Sequence, residues 1–141
     1  ANRAGKLCLN IASQGDAIQI EKATRRVILT QSLQEKLLRP TYGTSIAIDM
    51  AQANRHLIIA TNGTAFTIAN PTSPADGMTL RITIRNSSGG ALGTATWLGK
   101  YKLGSAWTQP ANGYSRSISF YYEVNTDSWV EEFRSAADVP V

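Results

Sequence analysis

The chain has 141 residues, enough for one domain with a substantial core but too few for two such domains. Hydrophobic residues make up 43% and charged residues only 17%, which argues against a coiled coil and against charge-driven disorder. Every apolar stretch is shorter than the roughly 18 residues of a membrane span. The stretch at residues 7–11 is also too short for a secretory signal, so we expect neither feature.

The charge distribution weakens a nucleic-acid hypothesis. The net charge is +4, and the whole excess lies in residues 1–39, whereas residues 40–141 carry seven charges of each sign. Nucleic-acid binding requires a basic surface. The local cluster Arg25-Arg26 is better explained as a solvated arm or a contact with another protein. We therefore disfavour a nucleic-acid partner and expect no membrane partner.

The first 39 residues predict short strands within an attachment arm. Residues 7–11 and 17–20 alternate as strands do, on either side of the turn signal Gln14-Gly15-Asp16. Residues 27–29 form a short apolar run. Residues 31–39 fit a two-turn helix or an irregular loop about equally well, ending before Pro40. We predict an N-terminal arm over residues 1–39 and a folded domain over residues 40–141.

The folded domain is predicted to be all-β. In residues 78–85 apolar and polar residues alternate strictly, which predicts a strand that buries Met78, Leu80, Ile82 and Ile84 on one face. The same alternation occurs in residues 45–50 and 117–122. Shorter candidate strands are residues 57–60, 65–69, 94–98 and 129–133.

Turn signals separate these strands at intervals of roughly ten residues. They include Asn62-Gly63, Asp76-Gly77, Gly89-Gly90 and Asn112-Gly113. Asn-Gly and Asp-Gly supply the positive φ angles of tight hairpins, so the pattern favours an antiparallel β-sandwich of the jelly-roll type. Its expected core aromatics are Phe66, Trp97, Trp107, Phe120, Trp129 and Phe133.

The chain has a single cysteine, Cys8, and a single histidine, His56, which rules out an internal disulfide and a site with two imidazoles. A nucleophile–base pair remains conceivable. However, Cys8 alternates with Leu7 and Leu9, which predicts an inert strand thiol. His56 lies at a strand start, where we expect a surface imidazole.

The carboxylates do not predict a catalytic pair. Asp76 and Asp127 occupy turn sequences, while Glu131 and Glu132 are adjacent in a strand and should point to opposite faces. The calcium-loop spacing is missing, and the glycine-rich residues 89–93 lack the Lys-Ser/Thr of a phosphate loop. We expect no catalytic residue, no cofactor and no metal site, and thus no enzyme.

Four aromatic residues lie outside or at the edges of the clearest core positions: Tyr101, Trp107, Tyr114 and Tyr121. Exposed aromatic rings can stack on sugar faces, but Tyr and Trp are also enriched at subunit interfaces. The four are therefore candidate contacts for a glycan or for another subunit, and the interface interpretation is favoured.

Several segments also carry a resemblance to known proteins. They include Ala-Thr-Asn-Gly-Thr-Ala-Phe-Thr-Ile at residues 60–68, Leu-Arg-Ile-Thr-Ile-Arg-Asn at 80–86 and Ser-Gly-Gly-Ala-Leu-Gly-Thr at 88–94. Further segments are residues 70–74, 101–103, 115–120 and 129–131. Together they resemble a β-sandwich module of bacteriophage virion proteins, especially of tail fibres and other appendages.

The resemblance implies a non-enzymatic structural protein of the virion, made in the host cytoplasm. It would assemble through its arm and its sandwich, with other virion proteins and with copies of itself, a homotrimer being favoured. Two alternatives stay open. One is a capsid decoration protein of the head, and the other is a carbohydrate-binding module that recognises a host surface glycan.

Overall fold

The structure is a computed structural model that describes residues 6–10, 16–21 and 26–29 as strand backbone and residues 35–141 in full. The chain divides into two compact units, Ala1–Gln34 and Glu35–Val141. The division lies before the predicted arm boundary at residue 39. In the described ranges, no helix is long and apolar enough to cross a membrane.

The first unit contains an antiparallel sheet in the order β1-β2-β3. Its strands are β1 (Lys6–Asn10), β2 (Asp16–Glu21) and β3 (Arg26–Leu29). Ile20 of β2 pairs with Leu7 on one side and with Val27 on the other. The two predicted strands of the arm and its apolar run thus become three paired strands.

The second unit contains ten strands that belong to two sheets. They are β4 (Leu37–Leu38), β5 (Ser45–Ile46), β6 (Arg55–Ala60), β7 (Phe66–Ile68), β8 (Thr79–Asn86), β9 (Ala95–Trp97), β10 (Tyr101–Lys102), β11 (Tyr114–Glu123), β12 (Ser128–Arg134) and β13 (Val139–Pro140). The helix alternative for residues 31–39 is wrong where the structure describes them, because residues 37–38 form a strand. Residues 31–34 lie outside the described residues.

The fold of residues 35–141 is a β-solenoid of about three turns, so the predicted antiparallel sandwich is wrong. Strands β4, β6 and β8 are parallel neighbours in one sheet, and β5, β7 and β9 are parallel neighbours in the other. Each turn of the chain contributes one strand to each sheet. The signal Asn62-Gly63 therefore joins β6 to a strand in the other sheet and does not close a hairpin.

After the third turn the larger sheet continues with antiparallel strands. Strand β11 pairs antiparallel with β8, and β12 pairs antiparallel with β11. Strand β10 adds parallel to β12, and β13 pairs with the start of β11, which completes a seven-stranded sheet.

The core consists of side chains that stack from turn to turn. Ile82 pairs with His56 of the preceding turn and with Ile118 of the antiparallel strand that follows. On the opposite sheet, Ile68 pairs with Ile46 and with Trp97. Such stacking gives each turn of a solenoid the apolar contacts that it cannot make alone.

The burial predicted for residues 78–85 is confirmed. Leu80, Ile82 and Ile84 have no exposed surface, Met78 is half-buried, and the residues between them are exposed or half-buried. The alternation in residues 45–50 and 117–122 is confirmed in the same way. It buries Ile46, Ile48, Met50, Ile118, Phe120 and Tyr122.

The turns are in direct contact at the corner between the two sheets. A Cβ atom on Gly93 would lie 2.3 Å from the backbone nitrogen of Ala65 and 2.6 Å from the carbonyl oxygen of Gly63. The Tyr42 hydroxyl donates a hydrogen bond to the carbonyl oxygen of Thr64 at 3.0 Å. Only glycine fits at residue 93, because any side chain would separate the stacked corners.

Candidate functional site

The outer face of the seven-stranded sheet carries a row of two arginines, a serine and a phenylalanine. Arg55 of β6 pairs with Arg81 of β8, Arg81 pairs with Ser119 of β11, and Ser119 pairs with Phe133 of β12. Residues paired across neighbouring strands project from the same face of a sheet. Their sequence neighbours Leu80 and Phe120 have no exposed surface. The row therefore faces away from the core.

A groove of about 250 Å³ lies along this row. We call it the outer groove. It is lined by Glu35, Asn54, Arg55, Thr79, Leu80, Arg81, Ser119 and Glu132. Four strands of the sheet contribute residues to it, and seven of the eight lining residues are polar or charged.

The two arginines of the outer groove have different partners. Nη1 of Arg55 lies 3.4 Å from Oε2 of Glu35, and both side chains are more than 40% exposed. Nε of Arg81 donates a hydrogen bond to Oγ of Ser119 at 3.3 Å, while its backbone nitrogen donates to the carbonyl oxygen of Asn54 at 2.8 Å. Arg81 is thus held at its backbone and at Nε. Within residues 35–141 its two terminal amino groups have no hydrogen-bond partner, so they are donors for a ligand.

A β-bulge in β12 lies beside the outer groove. The register shifts so that Ser119 pairs with Phe133 and Phe120 pairs with Glu131, and Glu132 is the extra residue between them. Glu132 lines the outer groove, whereas Glu131 accepts a hydrogen bond from the backbone nitrogen of Gly104 at 2.7 Å. The two adjacent carboxylates therefore lie in different surroundings.

The bulge also explains a wrong prediction about Phe133. Its spacing from Trp129 is even, so regular alternation places both residues in the core, yet Trp129 has no exposed surface and Phe133 is 63% exposed. One extra residue reverses the phase of a strand. Nothing in the sequence around Glu132 signals the bulge.

The four aromatic residues that we predicted as contacts do not form one site. Tyr121 is 39% exposed on the outer face, two residues along β11 from Ser119, whereas Tyr114 is 38% exposed near Pro140 of β13. Trp107 is half-buried, and its ring nitrogen donates to Oε1 of Gln109 at 3.0 Å. Tyr121 is the one of the four that lies beside the outer groove.

Tyr101 is a core residue, so its predicted position at the edge of the core is wrong. Its side chain is 6% exposed, and its ring lies edge-on to Trp97 with 5.1 Å between centroids. The hydroxyl donates to the carbonyl oxygen of Ala69 at 3.0 Å. Burial raises the pKa of this hydroxyl far above its ordinary value. Tyr101 therefore contributes to packing between the two sheets.

His56 is also a core residue, so the expected surface imidazole is wrong. It is 1% exposed and pairs with Leu38 of β4 and Ile82 of β8. Within the described part of the chain, neither ring nitrogen has a hydrogen-bond partner. Burial lowers the pKa of His56, and the Asp49 carboxylate offsets part of that effect. The Cys8 side chain lies outside the described residues, so its predicted character remains a prediction.

The described carboxylates act mainly in turns and ion pairs. Asp127 adopts a φ of 45° and accepts hydrogen bonds from Nζ of Lys100 at 2.6 Å and from the Tyr122 hydroxyl at 2.8 Å, which lower the pKa of Asp127. Asp138 accepts a hydrogen bond from the backbone nitrogen of Ala111 at 2.9 Å and pairs with Arg116, and these contacts lower its pKa. In the part of the chain that the structure describes, no three His, Cys, Asp or Glu residues lie close enough to hold a metal ion.

No protein-family model, curated protein or solved structure matches this chain. A function therefore has to be argued from the fold, from its open edges and grooves, and from the sequence segments described above.

Proposed function

We propose that this chain is a non-enzymatic structural protein of a bacteriophage particle, a module of a tail fibre or similar appendage that works as a homo-oligomer. The segments that resemble phage virion proteins support this proposal. They lie mainly in the second and third turns and in the antiparallel strands that follow. The sandwich that accompanied the resemblance does not stand, but the role in the particle does not depend on it.

The observation that carries the proposal is a difference between the two ends of the strand stack. The larger sheet has an open edge at the first turn but continues past the third turn. Strands β4 and β5 of the first turn are edge strands of their sheets. An edge strand presents backbone groups without sheet partners, which makes it a template for another chain. Next to these edges lies a depression of about 410 Å³, lined by Leu38, Arg39, Pro40, Thr41, Ser45, Ala47, Asp49 and Gln52.

At the other end of the stack, the chain itself covers the edge of the larger sheet, whereas β9 ends the smaller sheet as β5 does at the first turn. Strands β11 and β12 extend the larger sheet in antiparallel directions. Beside β9, the rings of Tyr101 and Trp107 pack against Trp97 with centroids 5.1 and 5.5 Å away. Solenoids require such covered terminal turns to stay soluble. Among the described residues, no strand extends the larger sheet beyond β4. The first turn is therefore the end suited to assembly.

Mass measurement of the full chain at about micromolar concentration tests the oligomer. We expect a homo-oligomer, with a trimer favoured by the resemblance to phage appendages. Ala47 is exposed in the depression, so Ala47→Lys should place a charge against the partner and weaken assembly at least about tenfold. Ala136→Lys, at an exposed loop position, is the matched control and should assemble normally.

Labelling of intact particles with an antibody against the chain tests its location. Label on the tail appendages is the expected result. Label on the head would replace the appendage role with capsid decoration. A chain that is monomeric both in solution and in the particle, or that is missing from particles, would overturn the proposal.

A further inference from the structure

The outer groove is a polar concave surface of the larger sheet, and seven of its eight lining residues are polar or charged. We propose that it binds a neutral saccharide. In this site Arg81 and Glu132 hydrogen-bond to sugar hydroxyls, and Tyr121 and Phe133 stack on sugar rings. The inference rests on the geometry of the sheet and stands or falls separately from the proposed place in a phage particle.

The bulge in β12 is the first argument. In a regular strand, Glu132 and Phe133 would project from opposite faces. Glu132 lines the outer groove, and the extra residue turns Phe133 to the same face, where its ring is 63% exposed opposite Ser119. Bulges are over-represented where a side chain must be re-aimed next to a functional site. The bulge thus joins an acceptor and an apolar surface that the sequence pattern would separate.

The balance of charge is the second argument. The outer groove contains Arg55 and Arg81 with Glu35 and Glu132, two charges of each sign. A phosphate, sulfate or carboxylate ligand would meet the glutamates, and a cationic ligand would meet the arginines. A neutral ligand avoids both penalties. The balance of charge in the outer groove therefore disfavours both anionic and cationic ligands and favours a polar, uncharged one.

The hydrogen-bonding groups narrow the ligand further. A guanidinium only donates and an ionised carboxylate only accepts, whereas a hydroxyl does both. Arg81 has Nε held by Ser119 at 3.3 Å, and Glu132 has no hydrogen-bond partner among the described residues. Thr79 adds an exposed hydroxyl. Neighbouring hydroxyls on one ring would use the donors and the acceptor together, which is the chemistry of a saccharide.

The aromatic pair and the size of the outer groove agree with this ligand. Tyr121 lies two residues along β11 from Ser119, and Phe133 lies across from Ser119 on β12. From strand geometry their Cα atoms are about 8 Å apart. The volume of about 250 Å³ is slightly below the roughly 300–1,000 Å³ of most small-molecule sites. It suits one or two sugar rings, with the rest of a longer chain lying over the aromatic residues.

The test uses the full chain on an array of neutral, sialylated and sulfated glycans, followed by titration calorimetry with the strongest neutral glycan found. Tyr121→Ala and Phe133→Ala should each weaken that binding about tenfold, the loss of one stacked ring. Arg81→Gln should weaken it to a similar extent, and Glu132→Gln should do so because the amide replaces an acceptor-only group.

Tyr114→Ala is the matched control, since Tyr114 is another tyrosine of β11 with nearly the same exposure, 38% against 39% for Tyr121. It should change the affinity by less than about twofold. Melting temperatures of all variants confirm that they are folded, because these side chains lie outside the core. The proposal is overturned if no neutral glycan binds, if only anionic glycans bind, or if Tyr121→Ala and Phe133→Ala bind as the unchanged protein does. The variants of the outer groove should keep the oligomeric state of the unchanged protein. A loss of glycan binding can therefore be told apart from a failure of the assembly proposal.

Discussion

Acidification should destabilise residues 35–141 through His56. The imidazole is 1% exposed between Leu38 and Ile82, and burial lowers its pKa below the ordinary value of 6.5. The Asp49 carboxylate is the charged group that acts on it, and its effect is smaller than that of burial. The folded state therefore holds His56 neutral at a pH where the unfolded chain protonates it. The stability that depends on neutral His56 is complete above pH 6.5, and this contribution is lost as the pH falls below that value.

The loss of stability on acidification has an upper limit, which follows from the linkage between protonation and unfolding. If His56 stays neutral in the folded state, lowering the pH from about 7.0 to about 5.5 reduces the free energy of unfolding by about 1.3 kcal/mol. That loss corresponds to a shift of roughly 0.5–1 M in the urea midpoint. The chain contains no other histidine, and ordinary carboxylates titrate at lower pH, so this window isolates one group.

The variant His56→Leu identifies the cause. Leucine is similar in size to the imidazole and removes two buried nitrogen atoms that lack hydrogen-bond partners within the described residues. Near pH 7 it should be as stable as the unchanged protein or up to about 2 kcal/mol more stable. It should also lose the dependence on pH. His56→Ala is the comparison for packing and should cost about 2–4 kcal/mol by leaving a cavity.

Urea unfolding at the two pH values, followed by tryptophan fluorescence, is the assay, because all three tryptophans lie in residues 35–141. Two results would refute the reasoning. One is a His56→Leu variant that keeps the same loss of stability on acidification. The other is a His56→Leu variant that is destabilised near pH 7 by more than about 1 kcal/mol, which would mean that the imidazole makes a favourable polar contact.

Three further predictions follow from the core and the turns. Ile82→Asp should lower the free energy of unfolding by several kcal/mol, since Ile82 has no exposed surface, and an unchanged melting temperature would disprove the register of β8. Gly93→Ala should cost about 1–3 kcal/mol because its Cβ would lie 2.3 Å from the backbone of the adjacent corner. Gly90→Ala, with nothing within 4 Å, should stay within about 0.5 kcal/mol, and equal midpoints in urea would contradict the stacked corner. Hydrogen bonds, foremost from Thr126, lower the pKa of Glu123 from 4.5 to about 2. Stability from Glu123 is therefore complete above pH 4.5 and lost as the pH falls towards 2. NMR titration of its carboxyl should show this, and an ordinary pKa would count against the turn geometry.

The sequence alone determined which face of each well-patterned strand is buried. Leu80, Ile82 and Ile84 alternate with polar residues, and burial follows that alternation because successive side chains of a strand point to opposite faces. The turn residues were also informative, since Gly77 and Gly113 adopt the positive φ angles that their Asp-Gly and Asn-Gly sequences favour.

The direction and the partners of the strands were decided by the tertiary structure. Alternation is the same for a parallel and an antiparallel neighbour, so the pattern of β6 and β8 did not reveal that they run parallel. His56 is buried because stacking of the turns places Leu38 and Ile82 on either side of it, a contact between residues far apart in the chain. The exposure of Phe133 beside the outer groove depends in the same way on the bulge at Glu132. One unpaired residue shifts the register of β12 against β11, and register is a property of two strands together.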